Sequence, residues 1–159
     1  MARVLLPLPD TDFDVTEVAV PWKLLTEAGH EVVFATEHGR VPAADPLLLT
    51  GVVLGQLGAA GEPKRFYAEM LPTMAPIRWA DIDTSYDALL LPGGHAPGMR
   101  QYLGSPLLQD RVRAFWATGR PVAATGSPPS AATWAAAPGC SDPLAASPCA
   151  PARQHRVNR

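Results

Sequence analysis

The chain has 159 residues and a formal net charge of -2, with no basic stripe or block, which excludes the electrostatic footprint of a nucleic-acid binder or of a protein drawn to an anionic membrane surface. One domain of this length buries enough surface for a single core. Cys140 and Cys149 are the only cysteines and no histidine stands at metal-finger spacing, so a zinc or disulfide framework is excluded; the apolar run Val4 to Leu6, cut by Pro7, is too short for a signal peptide or a span, and a cytoplasmic location is expected.

"ARVLLPLP" (2–9) is an apolar run suited to a buried strand, and "DTDFD" follows as a polar turn. Val15, Val18, Ala19, Trp22 and Leu25 then recur at intervals of three and four, the spacing of one apolar helix face. That helix is predicted to end near Ala28-Gly29, with Pro21 either bending it or marking its first turn. "HEVVFATE" (30–37) is a second strand, and strand-helix-strand in so short a stretch is a right-handed βαβ unit with parallel strands.

Residues 39–63 have no sustained period and read as an insertion with one short helix, followed by a helix over 62–71. "YDALLLPGG" (86–94) is a strand running into a glycine turn. "SPLLQDRVRAFWATG" (105–119) is an amphipathic helix with Ser105 as N-cap, Pro106 at its first position and Gly119 at its end. "RPVAA" (120–124) begins another strand. The pattern β-α-β, insertion, β-α-β predicts a doubly wound α/β sheet, with ligands beyond the carboxyl ends of the strands. That edge carries Asp10 to Glu17, Gly93 to Gly98 and the residues after Ala124.

Two metal readings attach to "DTDFDVTE". An EF-hand loop from Asp10 needs glycine at its sixth place and glutamate at its twelfth, which hold Val15 and Pro21, so it fails. Asp12-x-Asp14-x-Thr16 resembles the nucleophile motif of magnesium-dependent haloacid-dehalogenase-type phosphatases, without their downstream lysine and paired aspartates. The simpler reading is an acidic turn that stabilises a helix N-terminus. Glu17 stands at the ligand edge, where partial shielding by Trp22 would raise its pKa and let its carboxyl donate to a thiolate or oxyanion; a solvated first-turn glutamate is the alternative. "LPGGHAPG" (91–98) lacks the residues of a P-loop and reads either as an oxyanion site built from the amides of Gly94 and His95, or as a strand-to-helix turn that needs glycine. His30 and His38 are given no role. No metal or cofactor is expected.

"DFDVTEVAVPWKLLTEAGHEVVFAT", "YDALLLPGGHAPGMRQYLGSP" and "LQDRVRAFWATGRPVAA" together resemble the DJ-1/PfpI superfamily, the class I glutamine-amidotransferase-like group, in its heat-shock chaperone and glyoxalase or deglycase-like branch. The resemblance covers residues 2–124. It implies a flavodoxin-like sandwich, Glu17 as carboxyl partner of a nucleophilic cysteine, Gly94 in the oxyanion hole, a small carbonyl or amide substrate, no cofactor and a homodimer. In that family the strand beginning like "PVAA" ends in a turn of the form Ile-Cys-His-Gly. Here it reads Ala124-Thr125-Gly126-Ser127, and Pro128-Pro129 follow where the family runs into a helix.

The stretch after Ala124 carries Pro128, Pro129, Pro138, Pro143, Pro148 and Pro151, with Leu144 and Val157 as its only large aliphatics. Such a composition does not offset the entropy of ordering the chain, so 1–124 is expected as a partial α/β domain and 125–159 as a disordered, non-homologous tail. Written in GC-rich codons, Cys-His-Gly-Val is TGC CAC GGG GTC C, and reading it one base later gives Ala-Thr-Gly-Ser. The break therefore reads as a frame change at the active-site codon, in a truncated relative of a cysteine-dependent hydrolase or glyoxalase. The rival readings are a non-catalytic binding or chaperone-like module and the phosphatase built on Asp12 and Asp14.

Overall fold

The computed structural model of the protein describes residues 1–50 and 61–126. β1 (Arg3–Pro7) leads into α1 (Val15–Glu27), β2 (Glu31–Thr36), α2 (Pro46–Thr50), α3 (Gly61–Met70), β3 (Ile77–Arg78), β4 (Ala88–Leu91), α4 (Met99–Gly104), α5 (Pro106–Trp116) and β5 (Val122–Ala124). The strands form one sheet in the order β3-β2-β1-β4-β5, parallel throughout. The chain thus starts in the middle of the sheet, winds outward to β3 and returns on the other side of β1 to β4 and β5. This is the doubly wound α/β arrangement that the strand-helix alternation predicts, and a crevice opens where the winding reverses, at the carboxyl ends of β1 and β4.

Alternation along the strands divides the core in two. Val4, Leu6 and Leu90 face Val15, Val18, Ala19 and Trp22 of α1 and Met70 of α3. Leu5, Leu89 and Leu91 face the opposite way, against Leu108, Val112 and Phe115 of α5 and the ring of Trp79. Because side chains on a strand point to opposite faces in turn, one apolar run such as "VLL" feeds both layers and is buried on both sides.

α1 follows its sequence signals. Val15, Val18, Ala19 and Trp22 are buried, Ala28 is the C-cap, and Gly29 takes a left-handed φ of 79°. Pro21 lies inside the helix instead of opening it. A proline has no N–H, so the carbonyl of Glu17 four residues earlier has no helical donor; the Thr125 hydroxyl lies 3.5 Å from it. α5 likewise begins with Ser105 accepting from the Leu108 amide (3.2 Å) and Pro106 in its first turn.

β3 and α4 were not expected from the sequence. β3 is only two residues long and α4 six, and Gly98 at the α4 N-cap makes no side-chain capping bond, so neither leaves a periodic or capping signature. The tail expected after Ala124 lies outside the described residues except for Thr125 and Gly126, which continue from β5: the Thr125 amide donates to Leu91 O at 3.0 Å. Among the described residues no helix is long and apolar enough to cross a membrane.

Candidate functional site

Three chain segments meet at the carboxyl edge of the sheet: the β1–α1 loop, the β4–α4 loop and the turn after β5. The first is fixed by Asp14, the N-cap of α1, whose Oδ1 accepts from the amides of Thr16 (2.8 Å) and Glu17 (3.2 Å). This capping holds Glu17 in the first helical turn, half-buried, with its carboxylate aimed at the other two segments.

Those segments approach the carboxylate closely at two glycines, Gly93 and Gly126. A Cβ on Gly93 would come within 2.6 Å of Glu17 Oε2 and 2.7 Å of the carbonyl oxygen of Thr125. A Cβ on Gly126 would lie 2.5 and 2.6 Å from the two Glu17 oxygens, and Gly126 has a left-handed φ of 84°. The Gly93 amide lies close enough to favour the ionised Glu17 carboxylate, and the Thr125 hydroxyl lies 3.4 Å from its Oε2. Gly94 packs differently: a Cβ there would meet the side chain of Met99 at 3.1 Å and the Asp14 amide at 3.7 Å. His95 is exposed and lies near enough for its charge to act on Glu17. The structure therefore gathers Glu17, Gly94 and His95, the three sequence candidates, at one edge.

Burial, followed by the charge of Asp14, pushes the pKa of Glu17 above the ordinary carboxylate range; the Gly93 amide, His95 and the Thr125 hydroxyl pull it back without cancelling the rise. A carboxyl with a raised folded-state pKa binds its proton more tightly in the folded than in the unfolded chain. Its contribution to stability is complete below the unfolded pKa and is lost as the pH rises through the folded one. Glu17→Gln is accordingly expected to melt higher than the parent at pH 7 and to match it at about pH 4 and below. Thermal melts across that range check this, and a variant less stable than the parent at pH 7 would contradict it.

Asp12 and Asp14, the pair of the phosphatase reading, are both engaged by backbone amides. Asp12, at a φ of 65°, accepts from the Gly98 amide through Oδ2 (3.0 Å) and ties the β1–α1 loop to the β4–α4 loop, while Asp14 caps α1. Both serve backbone donors. They also line a cavity of about 640 Å³ shared with Asp45, Leu47, His95 and Pro97; Glu17 is not among its lining residues.

A polar network at the same edge was not legible in the sequence. Asp10, Glu37 and His38 bring potential ligand atoms within 4.8 Å of one another. His38 Nδ1 lies 2.5 Å from Asp10 Oδ2, and the Gln101 amide donates to both Asp10 and Glu37. Burial opposes ionisation of Asp10, but the bonds to Gln101 and His38 outweigh it and leave its pKa lowered. His38, given no role from the sequence, thus joins the ends of β1 and β2. Gln101, ninety-one positions along the chain, is what makes the cluster, and no local pattern announces it.

Residues 8–138 match a family model described as ThiJ/PfpI family-like, a match that runs past Ala124. An uncharacterized protein of Schizosaccharomyces pombe is 33% identical over 119 residues, covering 71% of this chain and 45% of its own length. Among solved structures, glyoxalase III from Candida albicans is 21% identical with a TM-score of 0.60 or better, at 0.63, over 90% of this chain and 64% of that one. A two-domain protein from Anabaena variabilis, with DJ-1/ThiJ/PfpI-like and ferritin-like domains, is 20% identical with a TM-score of 0.58, over 85% of this chain and 32% of that one. The chain spans about half the length of the curated relative it matches.

Proposed function

The chain belongs to the ThiJ/PfpI-like family, and from that premise we propose that Glu17, Gly93, Gly94 and the Thr125-Gly126 turn form the frame of a carbonyl-processing site from which the nucleophile is missing. The full-length parent is a cysteine-dependent hydrolase, glyoxalase or deglycase-like enzyme acting on small carbonyl or amide compounds. In it a thiolate forms a C–S bond to the carbonyl carbon, the π electrons move to oxygen, a backbone amide at the β4–α4 turn holds that oxyanion, and the Glu17 carboxyl exchanges a proton with the sulfur. Counted from the strand start shared with the family, its cysteine falls on Gly126.

The observation that carries this reading is the contact between Gly126 and Glu17. The left-handed turn after β5 points the bond a side chain would occupy straight at the raised-pKa carboxyl. Strained strand-to-helix turns of this kind are how α/β folds present a nucleophile. The Candida albicans neighbour in fold is a glyoxalase III, which supports the reaction class.

The chain as it stands is expected to consume methylglyoxal no faster than its Glu17→Ala variant. Following the dicarbonyl's disappearance in parallel with the two proteins tests this. Turnover by the parent well above the variant would show a working nucleophile and overturn the reading. The non-catalytic alternative keeps one specific support, the cavity lined by Asp12, Asp14 and His95, which needs no thiol to hold a ligand.

A further inference from the structure

We propose that the cavity lined by Asp12, Asp14, Asp45 and His95 selects its ligand by charge, admitting uncharged or cationic small molecules with an apolar body and rejecting those that carry a carboxylate. The inference rests on the reading of Glu17 as part of a carbonyl site, and it adds the class of compound that reaches that site.

The cavity, at about 640 Å³, falls in the size range of small-molecule sites. Leu47, Leu48 and Pro97 form apolar walls, and Asp12, Asp14 and Asp45 are also among the lining residues. Neither lysine nor arginine is among its described lining residues. The acidic groups are held in place by the backbone: Asp12 by the Gly98 amide, Asp14 by the amides of Thr16 and Glu17, and Asp45 by the Leu47 amide at 2.8 Å. They cannot swing away when a ligand enters without giving up those bonds.

Apolar walls exclude water and lower the local dielectric, so like charges gathered on one concave surface repel an anion more strongly than they would on open protein surface. An ammonium group gains from the same field. A neutral carbonyl compound with an alkyl or aryl body is attracted by the walls and indifferent to the charge. Asp14 also links the cavity to Glu17, because this lining residue is the one whose charge raises the pKa of Glu17.

The test measures binding to the full chain by saturation-transfer NMR and calorimetry, with benzylamine, benzyl alcohol and benzoate as matched probes at low salt. Benzylammonium and benzyl alcohol are expected to bind, and benzoate at least tenfold more weakly than benzylammonium. In an Asp12→Asn/Asp45→Asn double variant the asparagine oxygens still accept from the Gly98 and Leu47 amides while both charges are gone. There the benzylammonium-to-benzoate ratio should fall at least threefold. Benzoate binding as tightly as benzylammonium, no binding by any of the probes, or an unchanged ratio in the double variant would overturn the proposal. Because none of these readings needs a thiol, such a failure is separate from failure of the carbonyl-site reading, which is decided by the chemistry of a cysteine placed at residue 126.

Discussion

Gly126→Cys is expected to convert the chain from inactive to active on methylglyoxal, with turnover about 100-fold or more above the parent, the lower end of what a positioned nucleophile with a proton partner supplies. The geometry gives the reason. The backbone at residue 126 already follows β5 into a left-handed turn, and the direction of a Cβ there leads to the Glu17 oxygens. Adding the side chain has a cost: a non-glycine residue in this conformation is strained by roughly 1–3 kcal/mol, and the Cβ would sit 2.5 Å from Glu17 Oε2 unless the carboxylate rotates. That carboxylate is the far end of a flexible side chain, so the contact is relieved by a small rotation. The variant should therefore be less stable than the parent and yet active. Gly126→Ala serves as the control, with the same loss of stability in urea titrations and no turnover.

Trp79→Ala is expected to cost about 3–5 kcal/mol, the usual penalty for emptying a large aromatic site, against a total of roughly 5–15 kcal/mol for a domain. Trp79 is wholly buried, packs edge-on to Tyr102 with ring centroids 6.3 Å apart, and donates from Nε1 to Ala35 O at 3.2 Å. It lies in the second core cluster and closes the sheet face that α5 covers. Ala35 O keeps a second donor, the Leu8 amide at 2.7 Å, so the loss comes from the cavity more than from an unpaired carbonyl. Trp79→Phe retains a ring and should lose only about 1–2 kcal/mol. Urea titrations followed by circular dichroism rank the two; equal stabilities of Trp79→Ala and the parent would mean that this face is not a packed core.

Much of the frame was legible in the sequence because its signals are local and redundant. Val15, Val18, Ala19 and Trp22 announce a helix by their spacing, Ser105 and Pro106 mark the start of α5, and Gly29 and Gly119 take the left-handed conformations that end a helix. The edge of the sheet that holds the site follows from the strand order alone, and Glu17, Gly94 and His95 all lie on it. What was hidden depends on contacts between distant segments. Gly93, and not Gly94, is the glycine that packs against the Glu17 carboxylate, and this becomes visible only once the β4–α4 loop is folded onto α1. Gly126 was passed over because a residue without a side chain carries no chemical signal. Counting onward from the "PVAA" strand to the place of the family's cysteine was the one available pointer. Pro21 shows the limit of propensity: it reads as a bend or a helix start, yet sits inside α1, where the carbonyl it frees belongs to Glu17 and faces Thr125.

The most direct measurement is the pH dependence of iodoacetamide alkylation at a cysteine placed at residue 126, with Cys140→Ser and Cys149→Ser removing the native thiols. If the turn after β5 presents that position to the Glu17 carboxyl, the reaction midpoint will depart from the value of about 8.5 typical of a free cysteine, and Glu17→Ala will return it toward that value. A midpoint at the free-cysteine value, the same with or without Glu17, would contradict the account.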